Sequence, residues 1–125
     1  MAKYVDGFVL VVPKKNQEAY RKMAREGARI WLKYGALDYK ECVGDDMNPK
    51  TGGMSPKLTF PKMIGAGKNE TVWFSYIVYK SKKHRDQVNR KVMAEMGKDE
   101  KNKDTPIPFD MKRFAYGGFE VVVDK

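Results

Sequence analysis

A single carboxylate interrupts an apolar stretch near the start of this 125-residue chain. Asp6 lies within residues 4–12 (YVDGFVLVV), which are predicted to form a strand. A carboxylate in a buried strand costs free energy unless it is paired or hydrogen-bonded. The topology predicted below places the last strand beside the first, which makes Arg113 a possible partner. An Asp6–Arg113 pair would either fix a bulge or subunit interface, or orient a ligand between the sheet and the helices.

A second group of carboxylates follows in residues 41–46 (ECVGDD). Glu41, Asp45 and Asp46 together offer the oxygen ligands that hard cations prefer. Strand alternation sends Glu41 and Cys42 to opposite faces, however, and aspartates that follow a glycine commonly form turns. We therefore expect no metal site. Cys42 is expected to be a small buried hydrophobic residue and not a nucleophile.

The only histidine is His84, which excludes a His-rich metal site and any chemistry that needs two histidines. It follows a predicted helix start among three cations, Lys82, Lys83 and Arg85, which favours the neutral imidazole. The chain has neither a Walker-type phosphate loop nor a Gly-x-Ser-x-Gly elbow. No cofactor is expected.

The composition is typical of a globular basic protein, with 42% hydrophobic residues and a formal net charge of +9. Such a charge attracts polyanions in a salt-dependent way, but the Lys and Arg residues are spread along the chain as on an ordinary solvated surface. No apolar run approaches the roughly 20 residues that span a bilayer. Asp6 disrupts any signal-peptide core, and the lone Cys42 allows no intrachain disulfide, so we expect a cytoplasmic protein.

Residues 71–79 (TVWFSYIVY) are predicted to form the strand around which the fold is built. Both of its alternating faces are apolar, as are those of residues 4–12, and such strands lie in the middle of a sheet that is covered on both sides. Residues 37–43 predict a weaker strand. Residues 112–123 predict a last strand with a bulge or bend at its adjacent glycines, Gly117 and Gly118.

Two segments have helical periodicity. Residues 18–34 follow a possible N-cap at Asn16 and end at Gly35, and residues 82–96 follow Ser81 as N-cap. The inward stripe of the second helix consists of Arg85, Val88, Val92 and Met96. Residues 58–64 are compatible with a short edge strand or one helical turn, and residues 98–103 predict a polar loop.

This β-α-β-β-α-β order predicts an α+β protein with a ferredoxin-like fold, as one domain over residues 1–125. Two helices cover one face of a four-stranded antiparallel sheet. The uncovered face, predicted to carry Tyr4, Phe8, Phe74 and Tyr76, would be too apolar for a soluble monomer. We therefore predict a homodimer through this sheet face, with Trp73 and Ile77 at the interface if the register is the other one.

RNA-recognition domains share this element order and stack bases on aromatic residues of the two central strands. The matching aromatic residues are Tyr4, Phe74, Tyr76 and Tyr79. The basic-Gly pair that opens the longer RNA-binding motif is replaced by Val72-Trp73, and Asp6 would repel a phosphate backbone. We therefore interpret the aromatic match as the shared demands of a central strand. Nucleic acid is the less favoured alternative partner, and it rests mainly on the net charge.

Five sequence blocks resemble one known family. They are residues 4–9 (YVDGFV), 41–46 (ECxGDD), 70–75 (ETVxFS), 81–86 (SxxxRD) and 108–120 (PFDxKRxxYGGFE). Together they resemble the YbaA-like family of small uncharacterised bacterial proteins. The resemblance implies the dimeric α/β-barrel form of the ferredoxin-like fold, in which two sheets pack face to face. Fold relatives include small monooxygenases and other enzymes with a ligand pocket in each subunit, but the family implies no activity and no catalytic residue.

The first functional hypothesis is a pocket between sheet and helices that binds or converts a small organic molecule without a metal or cofactor. Asp6, Glu41, Tyr76, Arg113 and Tyr116 are the candidate residues for this pocket or for the subunit interface. The alternative is an RNA-contacting or purely structural module that uses the basic surface.

Overall fold

The computed structural model describes residues 2–50, 53, 56–98 and 106–125. Its strands are β1 (Tyr4–Pro13), β2 (Asp38–Val43), β3 (Glu70–Tyr79) and β4 (Phe114–Glu120). Its helices are α1 (Gln17–Lys33), α2 (Phe60–Ile64) and α3 (Lys82–Gly97). The short α2 forms where the sequence allowed a strand or one helical turn. Beyond Lys98, the predicted polar loop lies outside the described residues.

The four strands form one antiparallel sheet in the order β2-β3-β1-β4. β1 and β3 are central and pair along their whole length, from Tyr4 opposite Tyr79 to Pro13 opposite Glu70. These are the two strands whose sequences are apolar on both faces. The predicted α+β, ferredoxin-like fold is confirmed.

Local signals explain where the two long helices begin and end. The Ser81 hydroxyl accepts a hydrogen bond from the His84 amide at 3.1 Å and caps α3. Gly35 follows α1 and has a φ of 111°, a conformation that residues with a side chain rarely adopt. Asn16 precedes α1 but makes no side-chain cap, because its amide donates to the Pro108 carbonyl at 3.3 Å.

Both long helices pack on the same face of the sheet. Ile30 of α1 and Val88 and Val92 of α3 form one buried cluster with Ile77 and Tyr79 of β3. A second cluster joins α1 to the other end of β1 and β3; it contains Leu10, Val12, Tyr20, Ala24 and Trp73. None of the helices in the described residues is long and apolar enough to cross a membrane.

We call the sheet surface turned away from α1 and α3 the open face. It carries Val5, Gly7, Val9, Val11, Lys40, Cys42, Val72, Phe74, Tyr76, Val78, Ala115 and Phe119. Val11 and Val72 are buried, but Phe74 is 45% exposed and Phe119 is 60% exposed. Cys42 is also exposed, because it lies on this face of an edge strand, so the prediction that it is buried was wrong.

The structure corrects two further details of the predicted sheet. Tyr4 and Phe8 face the helices and not the open face, because Phe8 lies opposite Ser75 whereas Val9 lies opposite Phe74. The predicted bulge in the last strand is absent, since β4 keeps a continuous register with β1. Gly118 is required for close approach: a Cβ there would lie 2.5 Å from the Tyr4 hydroxyl.

Candidate functional site

A cavity of about 380 Å³ lies between the sheet and helices α1 and α3. This volume is at the lower end of the range for small-molecule sites. Its lining consists of Asp6, Phe8, Tyr20, Met23, Ala24, Gly27, Trp31, Tyr39, Glu41, Ser75, Ile77, Asn89, Met93, Met96, Phe109, Phe114 and Tyr116. The walls are therefore mainly aromatic rings and thioethers, with two carboxyl groups among them.

Asp6 defines the polar end beside β4. Its side chain is buried, and its Oδ1 accepts a hydrogen bond from Arg85 Nη1 at 2.7 Å. The same Nη1 donates to the Tyr116 hydroxyl at 2.8 Å, and the guanidinium lies 5.0 Å from the centre of the Tyr4 ring. Burial alone would lower the pKa of Arg85, but the charge of Asp6 and the contacts of Arg85 with Asp86 and Tyr116 raise it on balance. Asp6 is thus a neutralised structural charge at the cavity wall.

The predicted Asp6–Arg113 pair was wrong. Asp6 lies opposite Gly118, whereas Arg113 precedes Phe114, which lies opposite Leu10. Arg113 is therefore five residues from the position opposite Asp6, or roughly 17 Å along an extended chain.

Arg113 instead holds the loop after α2 against the end of the sheet. It pairs with both Glu70 carboxylate oxygens and with Asp110, and its Nη1 donates to the Gly65 carbonyl at 2.7 Å. These hydrogen bonds lower the pKa of Glu70 to about 2. Arg113 has a structural position outside the cavity.

Glu41 defines the other polar region, beside β2. Its Oε1 accepts a hydrogen bond from the Tyr20 hydroxyl and its Oε2 from the Tyr39 hydroxyl, both at 2.8 Å. Burial raises the pKa of Glu41, and hydrogen bonds from Tyr39, Tyr20 and Ser75 oppose that rise only in part. Burial, followed by the nearby Glu41 charge, also raises the pKa of both tyrosines. We call Glu41 with Tyr20 and Tyr39 the glutamate clamp.

Asn89 of α3 supplies a third polar group. Its Oδ1 accepts hydrogen bonds from the Trp31 indole at 3.0 Å and from the Tyr79 hydroxyl at 3.3 Å. This contact joins α1, α3 and β3 behind the cavity. It orients the Trp31 ring that forms part of the wall.

The structure brings three of the five sequence-predicted residues together. Asp6, Glu41 and Tyr116 all line the cavity. Tyr76 lies on the open face, opposite Gly7 and Lys40, so the sheet separates it from the cavity. Arg113 immediately precedes β4, and its side chain does not line the cavity but pairs with Glu70 and Asp110.

Five polar residues of the site were not predicted to belong to it: Tyr20, Tyr39, Ser75 and Asn89 line the cavity, and Arg85 pairs with Asp6. Arg85 was identified on an inward, otherwise apolar stripe, and a charge in that position signals a buried counter-ion. Tyr20 likewise lies on the inward stripe of α1, where a phenol needs a hydrogen-bond partner. Tyr39 and Glu41 are two residues apart in β2, so their side chains lie on the same face of the sheet. This spacing was the sequence signal for the glutamate clamp.

The remaining candidates for chemistry lie outside this site. His84 Nδ1 accepts a hydrogen bond from the Lys80 amide at 3.0 Å. Burial, followed by the charges of Lys80 and Lys91, lowers the pKa of His84. Among the described residues, no three His, Cys, Asp or Glu side chains are grouped closely enough to hold a metal ion.

The aromatic positions of the RNA-binding comparison are split between the two faces of the sheet. Phe74 and Tyr76 lie on the open face, with ring centres 6.0 Å apart. Tyr79 is fully buried towards the helices, and Tyr4 packs on the same side. Only two of the four predicted base-stacking residues thus share a surface. Asp6 also faces the helices, so it would not repel a backbone there.

Comparisons with known proteins agree on the family and the fold. The family model described as protein of unknown function (DUF1428) matches residues 3–111. The chain is 41% identical to the uncharacterized protein YbaA of Escherichia coli K12 over 124 residues, which covers 98% of this chain and 99% of that protein; YbaA of Shigella flexneri matches equally.

Two solved structures from uncultured marine organisms, both described as dimeric ferredoxin-like proteins, resemble the whole chain. The first has a TM-score of 0.63 at 12% identity and is covered over 100% of its length. The second has a TM-score of 0.59 at 14% identity and is covered over 98%. At this identity the likeness shows the fold.

Proposed function

The chain belongs to the DUF1428 family of proteins of unknown function, and we propose that it binds a small, largely apolar organic molecule in the cavity between the sheet and helices α1 and α3. The observation that carries the proposal is the cavity itself, with its volume of about 380 Å³ and its mostly aromatic and methionine walls. Binding sites of this kind combine apolar walls with a few placed polar groups. Here Asp6 and Glu41 are those groups.

The polar groups of the lining are held by other parts of the fold, which supports a preformed site. Arg85 of α3 fixes Asp6 and Tyr116, and Tyr20 of α1 fixes Glu41. Each bond joins a helix to the sheet. A ligand would therefore meet polar atoms in set positions and would not have to order them.

A neutral fluorescent probe tests this proposal. N-phenyl-1-naphthylamine should show saturable fluorescence enhancement with one site per chain. A Met93→Trp variant should weaken binding because Met93 lines the cavity from α3 and a larger ring narrows it. Leu58→Trp, at an exposed position outside the cavity, is the control and should bind as the parent does. Unsaturable binding, or equal binding by the Met93 variant, would count against the cavity.

We also propose that two copies associate through their open faces. The exposed Phe74 and Phe119 rings lie on one apolar surface with Val5, Val9 and Val78. A contiguous apolar surface of this kind typically marks an interaction site. The dimeric state reported for the two similar structures supports this arrangement. Light scattering should give about twice the 14.4 kDa chain mass, and a mass of one chain would refute the dimer.

We propose a cytoplasmic location, which the free thiol of Cys42, the only cysteine of the chain, supports. A free thiol is stable in a reducing compartment and is prone to oxidation outside it. Fractionation of cells that express a tagged chain tests this proposal. Recovery from an oxidising compartment would contradict it.

RNA contact is the alternative use of the open face, because Phe74 and Tyr76 together form an aromatic surface there. Base stacking on these rings and counterion release would give an affinity that falls steeply with salt. Titration of an oligouridylate across salt concentrations separates the alternatives. Measurable affinity at physiological salt that Phe74→Ala removes would favour RNA over the dimer.

A further inference from the structure

The charge of the cavity is opposite to that of the chain. The chain carries a formal net charge of +9, yet the described residues that line the cavity include two carboxyl groups and no Lys, Arg or His. A cavity with anionic groups and no cationic ones disfavours carboxylate, phosphate and sulfate ligands. The complementary ligand is positively charged.

The two carboxyl groups differ in how their charge is balanced. Asp6 is paired with the Arg85 guanidinium at 2.7 Å. Glu41 receives hydrogen bonds only from hydroxyl groups, those of Tyr20, Tyr39 and Ser75. A carboxylate has about four lone-pair positions, so the glutamate clamp leaves room for one further donor. Glu41 is therefore the carboxyl group in the cavity whose charge still lacks a counter-ion.

The walls around Glu41 suit a cation as well. Seven lining residues are aromatic and three are methionine. Aromatic faces attract a desolvated ammonium group through the ring quadrupole, best in the case of Trp. Trp31 and Tyr39 lie on the Glu41 side of the cavity, with ring centres 6.2 Å apart.

We propose that the ligand of this cavity is a small organic amine, bound as its ammonium ion, with Glu41 as counter-ion and Trp31 and Tyr39 as its aromatic contacts. This assignment rests on the proposed function, since it specifies the chemical class of molecule that the cavity takes. It requires no covalent step, metal or cofactor.

The charges near Glu41 are compatible with this role. On their far side, Glu41 and Tyr39 also line a second, shallower depression of about 310 Å³, which Arg21 and Arg25 of α1 border. Arg21 pairs there with Glu18 at 3.3 Å. Across the cavity stand Asp6, already neutralised, and the Tyr116 hydroxyl. Because burial raises the pKa of Glu41, a bound ammonium group would lower it again, and binding would release protons where Glu41 is partly protonated.

Three molecules on one indole skeleton test the assignment: tryptamine is cationic, tryptophol is neutral and indole-3-propionate is anionic. Isothermal titration calorimetry with the full chain should show tryptamine binding about tenfold tighter than tryptophol, as one charge-assisted hydrogen bond predicts. Indole-3-propionate should bind more weakly than either. The enthalpy of tryptamine binding should depend on the buffer, which reports the released protons.

Glu41→Gln should remove the preference for tryptamine over tryptophol, because the amide carries no charge to balance the ammonium group. Glu26→Gln is the matched control, because Glu26 is exposed and pairs only with Arg29. Equal affinity for tryptamine and tryptophol in the parent chain overturns the assignment, as does an undiminished preference in Glu41→Gln.

The two proposals fail in different ways. If N-phenyl-1-naphthylamine binds and tryptamine has no advantage over tryptophol, the cavity binds small molecules but Glu41 does not select amines. If neither the dye nor any of the indoles binds, the cavity proposal fails as well. The comparison within the parent chain decides the matter even if Glu41→Gln does not fold.

Discussion

The two faces of the central sheet come from alternating residues of the same strands, yet they differ in chemistry. Towards the helices, β1 places Asp6 and β3 places Ser75, and both are buried. Towards the open face, the adjacent positions are Val5, Gly7 and Phe74. On the helix side every buried side-chain nitrogen and oxygen within the described residues has a hydrogen-bond partner. The open face has aliphatic and aromatic side chains at its centre and polar ones at its edge.

This difference agrees with the two proposed roles: ligand binding on the helix side of the sheet and association of two copies through the open face. Polar groups in a poorly solvated site cost free energy unless each is satisfied, so the networks around Asp6 and Glu41 constrain both geometry and charge. An apolar sheet face can be covered by any apolar surface of matching shape and area, and a second sheet provides such a surface. If the two faces are independent, a substitution on one face should leave the properties of the other unchanged.

The largest effect is expected on the open face. Phe74→Lys places an ammonium group in the proposed interface, where it would be desolvated without a partner. We expect the variant to be a monomer by sedimentation velocity and to retain dye binding in its cavity. Leu58→Lys, at an exposed position away from the sheet, should leave the parent mass unchanged. A Phe74→Lys dimer would show that the open face is not the interface.

On the helix side, Arg85→Leu should produce the largest loss of stability. It leaves the Asp6 carboxylate, only 1% exposed, without its counter-ion. Removing one partner of a buried ion pair typically costs about 3–5 kcal/mol of the free energy of unfolding. Urea denaturation measures this change.

The control for that variant is Arg29→Leu, which breaks an exposed pair with Glu26 and should change stability little. Adding Asp6→Asn to Arg85→Leu should recover part of the lost stability, because the unpaired charge is then removed. If Arg85→Leu is as stable as Arg29→Leu, then the Asp6–Arg85 contact does not stabilise the fold.

A smaller difference is expected between two tyrosines on opposite faces. Tyr20→Phe removes the hydroxyl that donates to Glu41 in a buried position, which should cost about 1.5–3 kcal/mol. Tyr76→Phe removes a hydroxyl for which the described residues provide no hydrogen-bond partner, and should cost much less. Comparing the two unfolding midpoints tests this, and equal losses would contradict the proposed contrast between the faces.

Sequence patterns were sufficient for the fold but not for the orientation of its central strands. The element order and the caps at Ser81 and Gly35 are local signals, and they predicted the architecture. The alternating residues of β1 and β3 are apolar on both sides, so periodicity could not decide that Phe8 faces the helices and Phe74 does not. In the structure, the side of β1 that faces the helices is the one that places Asp6 beside Arg85.

The candidate site was only partly predictable for a related reason. Arg85 is separated from Asp6 by 79 residues, and their contact depends on how α3 crosses the sheet. Arg113 was equally plausible in sequence, but the register places it at the far end of β1. Glu41 was identified as a lining residue, whereas the hydroxyls of Tyr20 and Tyr39 that hold it were not. The sequence pattern shows the residue types, but it does not show which residues far apart in the chain come into contact in the fold.

The smallest expected effect is the pH dependence that Glu41 adds to stability. Burial raises its pKa above the ordinary value of 4.5, so on raising the pH the unfolded chain loses this proton before the folded chain does. Between the two pKa values of Glu41, the folded state binds more protons than the unfolded state. The free energy of unfolding therefore falls as the pH rises from 4.5 through the folded-state pKa, and it is constant above that pKa. Glu41→Gln has no such proton, so the parent-minus-variant difference in unfolding free energy should fall over this window. Glu70 should act in the opposite direction: Arg113 lowers its pKa to about 2, so its contribution is present above pH 4.5 and lost in acid. Urea denaturation of the parent chain and of Glu41→Gln at pH values from about 4 to about 8 measures the Glu41 trend, and a flat difference would show that burial in the cavity does not disfavour the Glu41 carboxylate.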